Sequence, residues 1–174
     1  MSDHDPQFAA LYDRHHAFVW RILRRLGVPP ASLDDATQDV FVVVHRRRDT
    51  LRPGVSERSW LYGIARRVAA DVHRGRRRTQ RKLEALPSPG QSAPLDDALE
   101  RAEAADFVRT FFERLDAGHR MVFVLSDVEG MTAPEVAEAL ELNLNTVYSR
   151  LRSARKKFER AVARRQARAK VAHG

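Results

Sequence analysis

The chain contains no cysteine, so disulfides and thiolate-bound metals are excluded. Lysine is scarce: Lys82, Lys156, Lys157 and Lys170 are the lysines among 31 basic residues, and the others are arginine. Long apolar runs are missing as well. Phe41 to Val44 and Met121 to Leu125 fall far short of the roughly 20 residues that a membrane-crossing helix needs, so no membrane insertion is expected. The opening Met-Ser-Asp-His-Asp-Pro shows no basic stretch followed by an apolar one. It therefore predicts no signal peptide, and the chain reads as cytoplasmic. No segment alternates apolar and polar residues for long, which argues against a sheet. His15 and His16 are adjacent and point to different helix faces, and no His-Glu-x-x-His pair exists. With Asp13, Asp34 and Asp35 they make a poor metal-enzyme candidate, so no catalytic residue, metal or cofactor is predicted.

What the sequence does have is arginine and helical periodicity. Basic residues outnumber acidic ones by 31 to 23, a net charge of +8, which favours a polyanionic partner. Arginine's planar fork suits phosphates and base edges. The charge is uneven. Residues 1–78 carry 15 basic and 9 acidic groups, 79–105 carry 3 and 5, and 106–174 carry 13 and 9. The middle segment includes Leu86 to Pro94, with three prolines and a glycine in nine residues, which neither a helix nor a strand accommodates. The expected organisation is a domain over 1–78, a flexible linker over 79–97, a second domain over 98–162 and a basic tail over 163–174. Both domains read as all-α.

In the first domain Phe8, Leu11, Tyr12, His15, Phe18, Val19, Ile22, Leu23 and Leu26 recur at helical spacing, and Gly27 with Pro29-Pro30 ends that helix. Ser32 or Asp34 can cap a second helix that runs to about Arg47. After the turn Arg52-Pro53-Gly54, Ser56 precedes a third, with Trp60, Leu61, Ile64, Ala65, Val68, Ala69 and Val72 along one side.

Residues 119–158 carry the most specific pattern. His119 to Val128 predicts a short apolar helix, and Glu129-Gly130 a turn. Thr132 and Glu135 fit a capping box that opens a helix over 134–140, with Val136, Ala137 and Leu140 facing inward. Asn143 is positioned to cap a last helix from Leu144 to about Val162, whose buried stripe is Val147, Leu151, Ala154 and Phe158. A short helix, a tight turn and a longer helix make a helix-turn-helix. The exposed side of the second helix carries Asn145, Tyr148, Ser149, Arg152, Arg155 and Lys156, with Thr146 and Arg150 beside them. Its first turns can reach base edges in a major groove.

Two further motifs precede the linker. Asp34, Asp35, Gln38 and Asp39 put an acidic strip on the second helix, with Phe41 on its apolar side, and suggest a basic protein partner. Trp60, Tyr62, Arg66 and Arg67, followed by Arg74, place aromatic rings and arginines on one helix, a combination that stacks unpaired bases and tracks a phosphate backbone. Trp60 and Tyr62 are equally readable as core.

With these four segments in order, the chain resembles an RNA polymerase sigma factor of the extracytoplasmic-function (ECF) group of the sigma-70 family. Leu33 to Phe41 resembles the family's acidic segment that docks on core RNA polymerase. Trp60 to Asp71 resembles the helix that handles the −10 promoter element. Met131 to Lys157 resembles the helix-turn-helix that reads the −35 element, with Thr146-Val147-Tyr148-Ser149-Arg150-Leu151-Arg152 standing in its recognition string. The resemblance implies a sigma-2-like domain of three or four helices, a linker and a sigma-4-like domain. It implies core polymerase, promoter DNA and an anti-sigma factor as partners, with an apolar patch near Phe111, Phe112 and Val122 as a candidate surface for the last. Departures from the family pattern are His45 for its usual Trp, Gly63 for a frequent Arg, Arg67 for its usual Asn, and Glu141 and Asn145 for glycines. The alternative is a stand-alone helix-turn-helix regulator, which would need neither the acidic helix nor the Trp60 helix.

Overall fold

The computed structural model describes residues 5–51, 53–83 and 99–172. The proline-rich stretch 86–94, on which the linker expectation rests, lies outside them, as does Arg52. Among the described residues every regular element is helical and none is a strand, as the sequence predicts. The chain divides into two compact units, Met1–Ser88 and Pro89–Gly174.

The first unit packs α1 (Pro6–Arg25), α2 (Leu33–Arg47) and α3 (Glu57–Leu83) against one another. Asp5 caps α1 by accepting from the Gln7 N–H at 3.0 Å, and Pro6 takes the first helical position, where its missing donor costs nothing. At the far end Gly27 adopts φ 83, while the Val28 N–H reaches the Leu23 carbonyl at 3.1 Å. That bond pattern closes the helix and folds Val28 back into the core. The expected side-chain cap of α2 is not made: Ser32 forms no capping bond, and a 3₁₀ turn over Pro30–Ser32 leads into the helix instead. Phe18, Val19, Ile22 and Leu23 of α1, Val40 and Val44 of α2, and Leu61, Ile64 and Ala65 of α3 form the core. Buried Thr37 satisfies its hydroxyl by donating to the Leu33 carbonyl at 2.7 Å. α3 runs on through Leu83, well past Val72, where its apolar stripe stops. Arginine is a good helix former, so its basic run continues the helix without core contacts.

The second unit contains α4 (Leu99–Arg114), α5 (Ala117–Phe123), α6 (Ala133–Leu140) and α7 (Leu144–Ala172). Phe107, Phe111, Phe123 and Phe158 interlock α4, α5 and α7, with ring centroids 5.1 to 6.2 Å apart. Between α5 and the following turn the chain widens into a π-helical turn, Val124–Val128, closed by the Glu129 N–H on the Val124 carbonyl at 2.9 Å. The short helix expected over His119 to Val128 is thus two pieces of different winding. On α6 the buried residues are Val136 and Ala139, whereas Ala137 and Leu140, expected inside, are half-buried. On α7 the expected stripe is present, with Val147, Leu151 and Ala154 buried and Phe158 half-buried. That helix continues to Ala172, so the described part of the basic tail is helical.

A part-buried polar contact joins α1 to α3. Buried His15 of α1 meets the Glu57 Oε2 at 2.7 Å, and Arg14 donates to the same oxygen at 3.0 Å. The bond from His15, with the Arg14 charge behind it, holds the Glu57 carboxyl below its ordinary range. A depressed carboxylate contributes stability above its unfolded pKa, and loses it as pH falls through the folded value. Glu57 remains partly exposed, which discounts the effect to about 0.5–1 kcal/mol. Glu57→Gln is expected to lower Tm by a few degrees near pH 7. The gap to the parent should close on acidification below the glutamate range, as thermal melts of the full chain across pH would show.

Candidate nucleic-acid and protein interfaces

The helix-turn-helix is built by local capping. The Thr132 Oγ1 accepts from the Glu135 N–H at 3.5 Å while the Glu135 Oε2 accepts from the Thr132 N–H at 2.7 Å, the predicted capping box. The Asn143 Oδ1 accepts from the Thr146 N–H at 2.7 Å and starts α7, as predicted. Between them Glu141 takes the left-handed conformation, φ 55 and ψ 43, and the Leu142 N–H reaches the Ala137 carbonyl at 2.9 Å. This tight closure aims α7 away from α6.

The structure brings Asn145, Tyr148, Ser149, Arg152, Arg155 and Lys156 together along one shallow groove on the solvent side of α7. Tyr148 is 50% exposed. Two of the predicted contacts stand apart. Thr146 is half-buried and spends its N–H on the cap, and its carbonyl accepts from the Ser149 hydroxyl at 3.0 Å. Arg150 turns to the flank, where its guanidinium lies over Gly118 of α5, so close that a Cβ there would come within 3.0 Å of Nη1. Arg155 is engaged by Asp127, a residue the sequence did not single out: its Nε donates to Oδ2 at 3.0 Å and its Nη2 to Oδ1 at 2.6 Å. The carboxylate holds that guanidinium more firmly protonated. Arg152 and Lys156 have no such partner among the described residues.

Beyond the groove the arginines of α7 leave the recognition face. Arg164, Arg165 and Arg168 line a second groove, shared with Phe107 and Phe111 of α4, and the Arg165 guanidinium sits over the Phe107 ring at 5.3 Å. Asp116, which caps α5 through the His119 N–H at 3.0 Å, also meets the His119 Nδ1 at 2.6 Å. These bonds lower its pKa to about 2. The apolar patch expected at Phe111, Phe112 and Val122 is not an open surface: Phe111 of α4 is buried in the aromatic cluster with Phe123 and Phe158, Val122 of α5 is fully buried, and Phe112 is half-buried.

In the first unit Asp34, Asp35, Gln38 and Asp39 are all exposed on α2. The Asp34 Oδ1 accepts from the Trp20 indole at 3.2 Å, which ties it to α1 and leaves Asp35, Gln38 and Asp39 as the outward strip. Phe41 is 3% exposed and its ring meets Tyr12 at a tilt, centroids 4.6 Å apart, so it supports the strip from the core and is not itself a contact surface. Beside the strip Phe8, Tyr12 and His16 face Gln38, Val42 and His45 across an aromatic groove.

On α3 the predicted set divides. Trp60, Arg67 and Arg74 are spaced by seven and share one stripe; Trp60 is half-buried and the arginines are exposed. Gly63 lies within the stripe with no atom near its missing Cβ, which leaves a shallow notch between Trp60 and Arg67. The Arg74 guanidinium pairs with Asp71. Arg66 is exposed on a neighbouring face. Tyr62 is 2% exposed, and burial raises its phenol pKa; it belongs to the core and cannot stack on a base without local opening. Among the described residues no helix is long and apolar enough to cross a membrane, and no three His, Asp or Glu side chains gather as metal ligands.

Comparison with known proteins agrees with this division. Residues 11–79 match the model for sigma-70 region 2, and residues 108–158 that for sigma-70 region 4. The RNA polymerase sigma factor CnrH of Cupriavidus metallidurans is 31% identical over 167 residues, covering 90% of this chain and 87% of that one. The ECF RNA polymerase sigma factor SigL of Mycobacterium tuberculosis is 32% identical, covering 82% and 81%. This chain belongs to the ECF sigma factors of the sigma-70 family. A solved structure of CnrH with the cytosolic domain of CnrY superposes with a TM-score of 0.65 at 29% identity, over 93% of this chain and 91% of that one. Sigma factors direct RNA polymerase to promoters, and a match through region 2 as well as region 4 does not favour a stand-alone helix-turn-helix regulator.

The left-handed Glu141 carries a cost that this sigma factor could shed. A non-glycine residue there costs about 1–2 kcal/mol, offset by about 0.5–1 kcal/mol for the greater unfolded-state freedom of glycine. Glu141→Gly is therefore expected to stabilise the second unit by about 0.5–1 kcal/mol. Urea and thermal melts check this, and a loss of stability would show that the Glu141 side chain matters more than its backbone.

Proposed function

We propose that this sigma factor initiates transcription by holding core RNA polymerase with the outward strip of α2 while it reads promoter DNA with α3 and α7. The observation that carries the reading is the recognition face of α7. Asn145, Tyr148, Ser149, Arg152 and Lys156 project together from a capped helix-turn-helix, opposite the stripe that anchors the helix. Arg152 and Lys156 make no ion pair among the described residues, although Glu159 lines the same groove, so Arg152 can grip a guanine edge and Lys156 a phosphate. Domain 1–78 binds polymerase and the −10 element, 79–97 links it to the −35 reader over 98–162, and the tail follows.

Supporting the −10 role, Trp60 and Arg67 flank the Gly63 notch with an aromatic edge and a cation, and Arg74 continues the stripe two turns beyond Arg67. A base extruded from the duplex costs a few kcal/mol, which stacking and pocket contacts must supply, because the chain carries no ATPase motif. The chain itself catalyses nothing; the polymerase supplies the chemistry. The protein works in the cytoplasm. An anti-sigma factor holds it idle, a reading supported by the capture of CnrH with a second protein.

Reconstitution with core polymerase, followed by transcript start mapping, tests the whole reading: starts shared with core polymerase alone would overturn it. Asp35→Ala combined with Asp39→Ala is expected to weaken core binding with helical content unchanged, and equal recovery of variant and parent in a pull-down would remove α2 from the docking surface. In transcription from a randomised upstream library, Arg152→Ala is expected to relax preference at one position, at a cost of about 1–3 kcal/mol. An unchanged preference at every position would show the register to be wrong.

A further inference from the structure

Asp127 poses a question that the promoter-reading role does not answer. A carboxylate at the edge of a groove that meets DNA repels phosphates, yet Asp127 stands there, in the π-helical turn. Its partner is Arg155, on the fourth turn of α7, in the same groove as Arg152 and Lys156. The pairing is side-on: Nε and one N–H of Nη2 are taken, at 3.0 and 2.6 Å, so the guanidinium plane is fixed. The pairing leaves the Nη1 donors uncommitted, and the Arg155 side chain remains 55% exposed while Asp127 is 24% exposed. While the clasp holds, those donors can reach an acceptor only in the orientation that it allows.

We propose that Asp127 is a positioning residue for promoter recognition: it restrains Arg155 so that this arginine serves the seated complex and is withheld from indiscriminate phosphate binding. The inference rests on the reading of α7 as the DNA-facing helix. An unrestrained arginine adapts to any nearby phosphate and adds affinity that ignores sequence, with a salt slope of about 0.9 per phosphate neutralised. A clasped arginine carries a nearly cancelled charge and cannot follow a misplaced phosphate. It contributes only where the groove seats α7 so that the Nη1 edge meets its acceptor. The carboxylate thus trades general affinity for discrimination, a use of an unfavourable element that specificity requires.

The test uses holoenzyme reconstituted from core polymerase and the full chain. Its probes are a promoter duplex selected by the parent and a scrambled duplex of equal length, each titrated over a salt series. Asp127→Asn keeps the shape and removes the charge. It is expected to steepen the salt slope on the scrambled duplex by about 0.9, and to lower the ratio of promoter to scrambled affinity several-fold. Asp127→Glu should restore the parental ratio. In an Arg155→Ala background Asp127→Asn should raise affinity for both duplexes alike by removing a repulsive charge, and leave the ratio of promoter to scrambled affinity unchanged, because the acid discriminates through that arginine. Arg155→Ala alone should lower the scrambled-duplex slope less than Lys156→Ala does, a readout that holds even if Asp127→Asn folds poorly. A parental slope and ratio in Asp127→Asn, or a change in the ratio on Asp127→Asn that survives without Arg155, would overturn the proposal. A parent that fails to tell the two duplexes apart would overturn the promoter-reading role, and this inference with it.

Discussion

The second unit depends on a single helix serving two environments at once. Val147, Leu151 and Ala154 of α7 are buried against α5 and α6, and Phe158 joins the aromatic cluster that recruits α4. The opposite side of the same four turns is the groove of Asn145, Arg152 and Lys156. A buried stripe at helical spacing fixes the rotation of a helix about its axis, because any other rotation would expose apolar area at about 25 cal/mol per Å². The polar face therefore needs no contacts of its own to be aimed. The fold supplies the aim, and the side chains on that face are free to vary without disturbing the core.

The first unit meets the same constraint with three helices. α2 offers a negative face with Asp35 and Asp39, and α3 a positive one with Arg67 and Arg74. Opposite charges on separate helices of one small unit suit two partners of opposite sign. Phe41 and Tyr62 are the residues beneath those faces, and each stiffens the surface above it. The buried His15–Glu57 contact joins α1 to the first residue of α3, and so fixes where the Trp60 stripe begins.

Local chemistry was legible in the sequence, and distant chemistry was not. Thr132 with Glu135, and Asn143 with the Thr146 N–H, are contacts within three residues, so the sequence alone predicts them. The family resemblance likewise rests on ordered local motifs. Aromatic residues were ambiguous. Tyr62 and Phe41 fit a binding face and a core equally well until α1 and α3 are placed against them, and Phe111 and Val122 are a patch only if α5 and α7 are ignored. The arginines of α7 look equivalent in sequence. Their division arises from partners far along the chain: Gly118 beneath Arg150 and Asp127, 28 residues away, beside Arg155. The sequence ends the last helix at about Val162 and starts the linker at 79, whereas α7 continues to Ala172 and α3 to Leu83, because apolar periodicity stops where the helices leave the core while arginine lets the backbone continue.

The π-helical turn sets the phase of everything that follows it. Its wide loop from Val124 to Glu129 accommodates one residue more than an α-helical turn would. In an α-helix each residue advances by about 100° around the axis. A chain shorter by one residue here would wind on regularly, and Asp127 would swing by about that angle, off the side that α7 crosses. The extra residue is thus a phase shift written into the backbone: a chain that lacked it would keep the helix-turn-helix, yet present a different side chain to the fourth turn of α7.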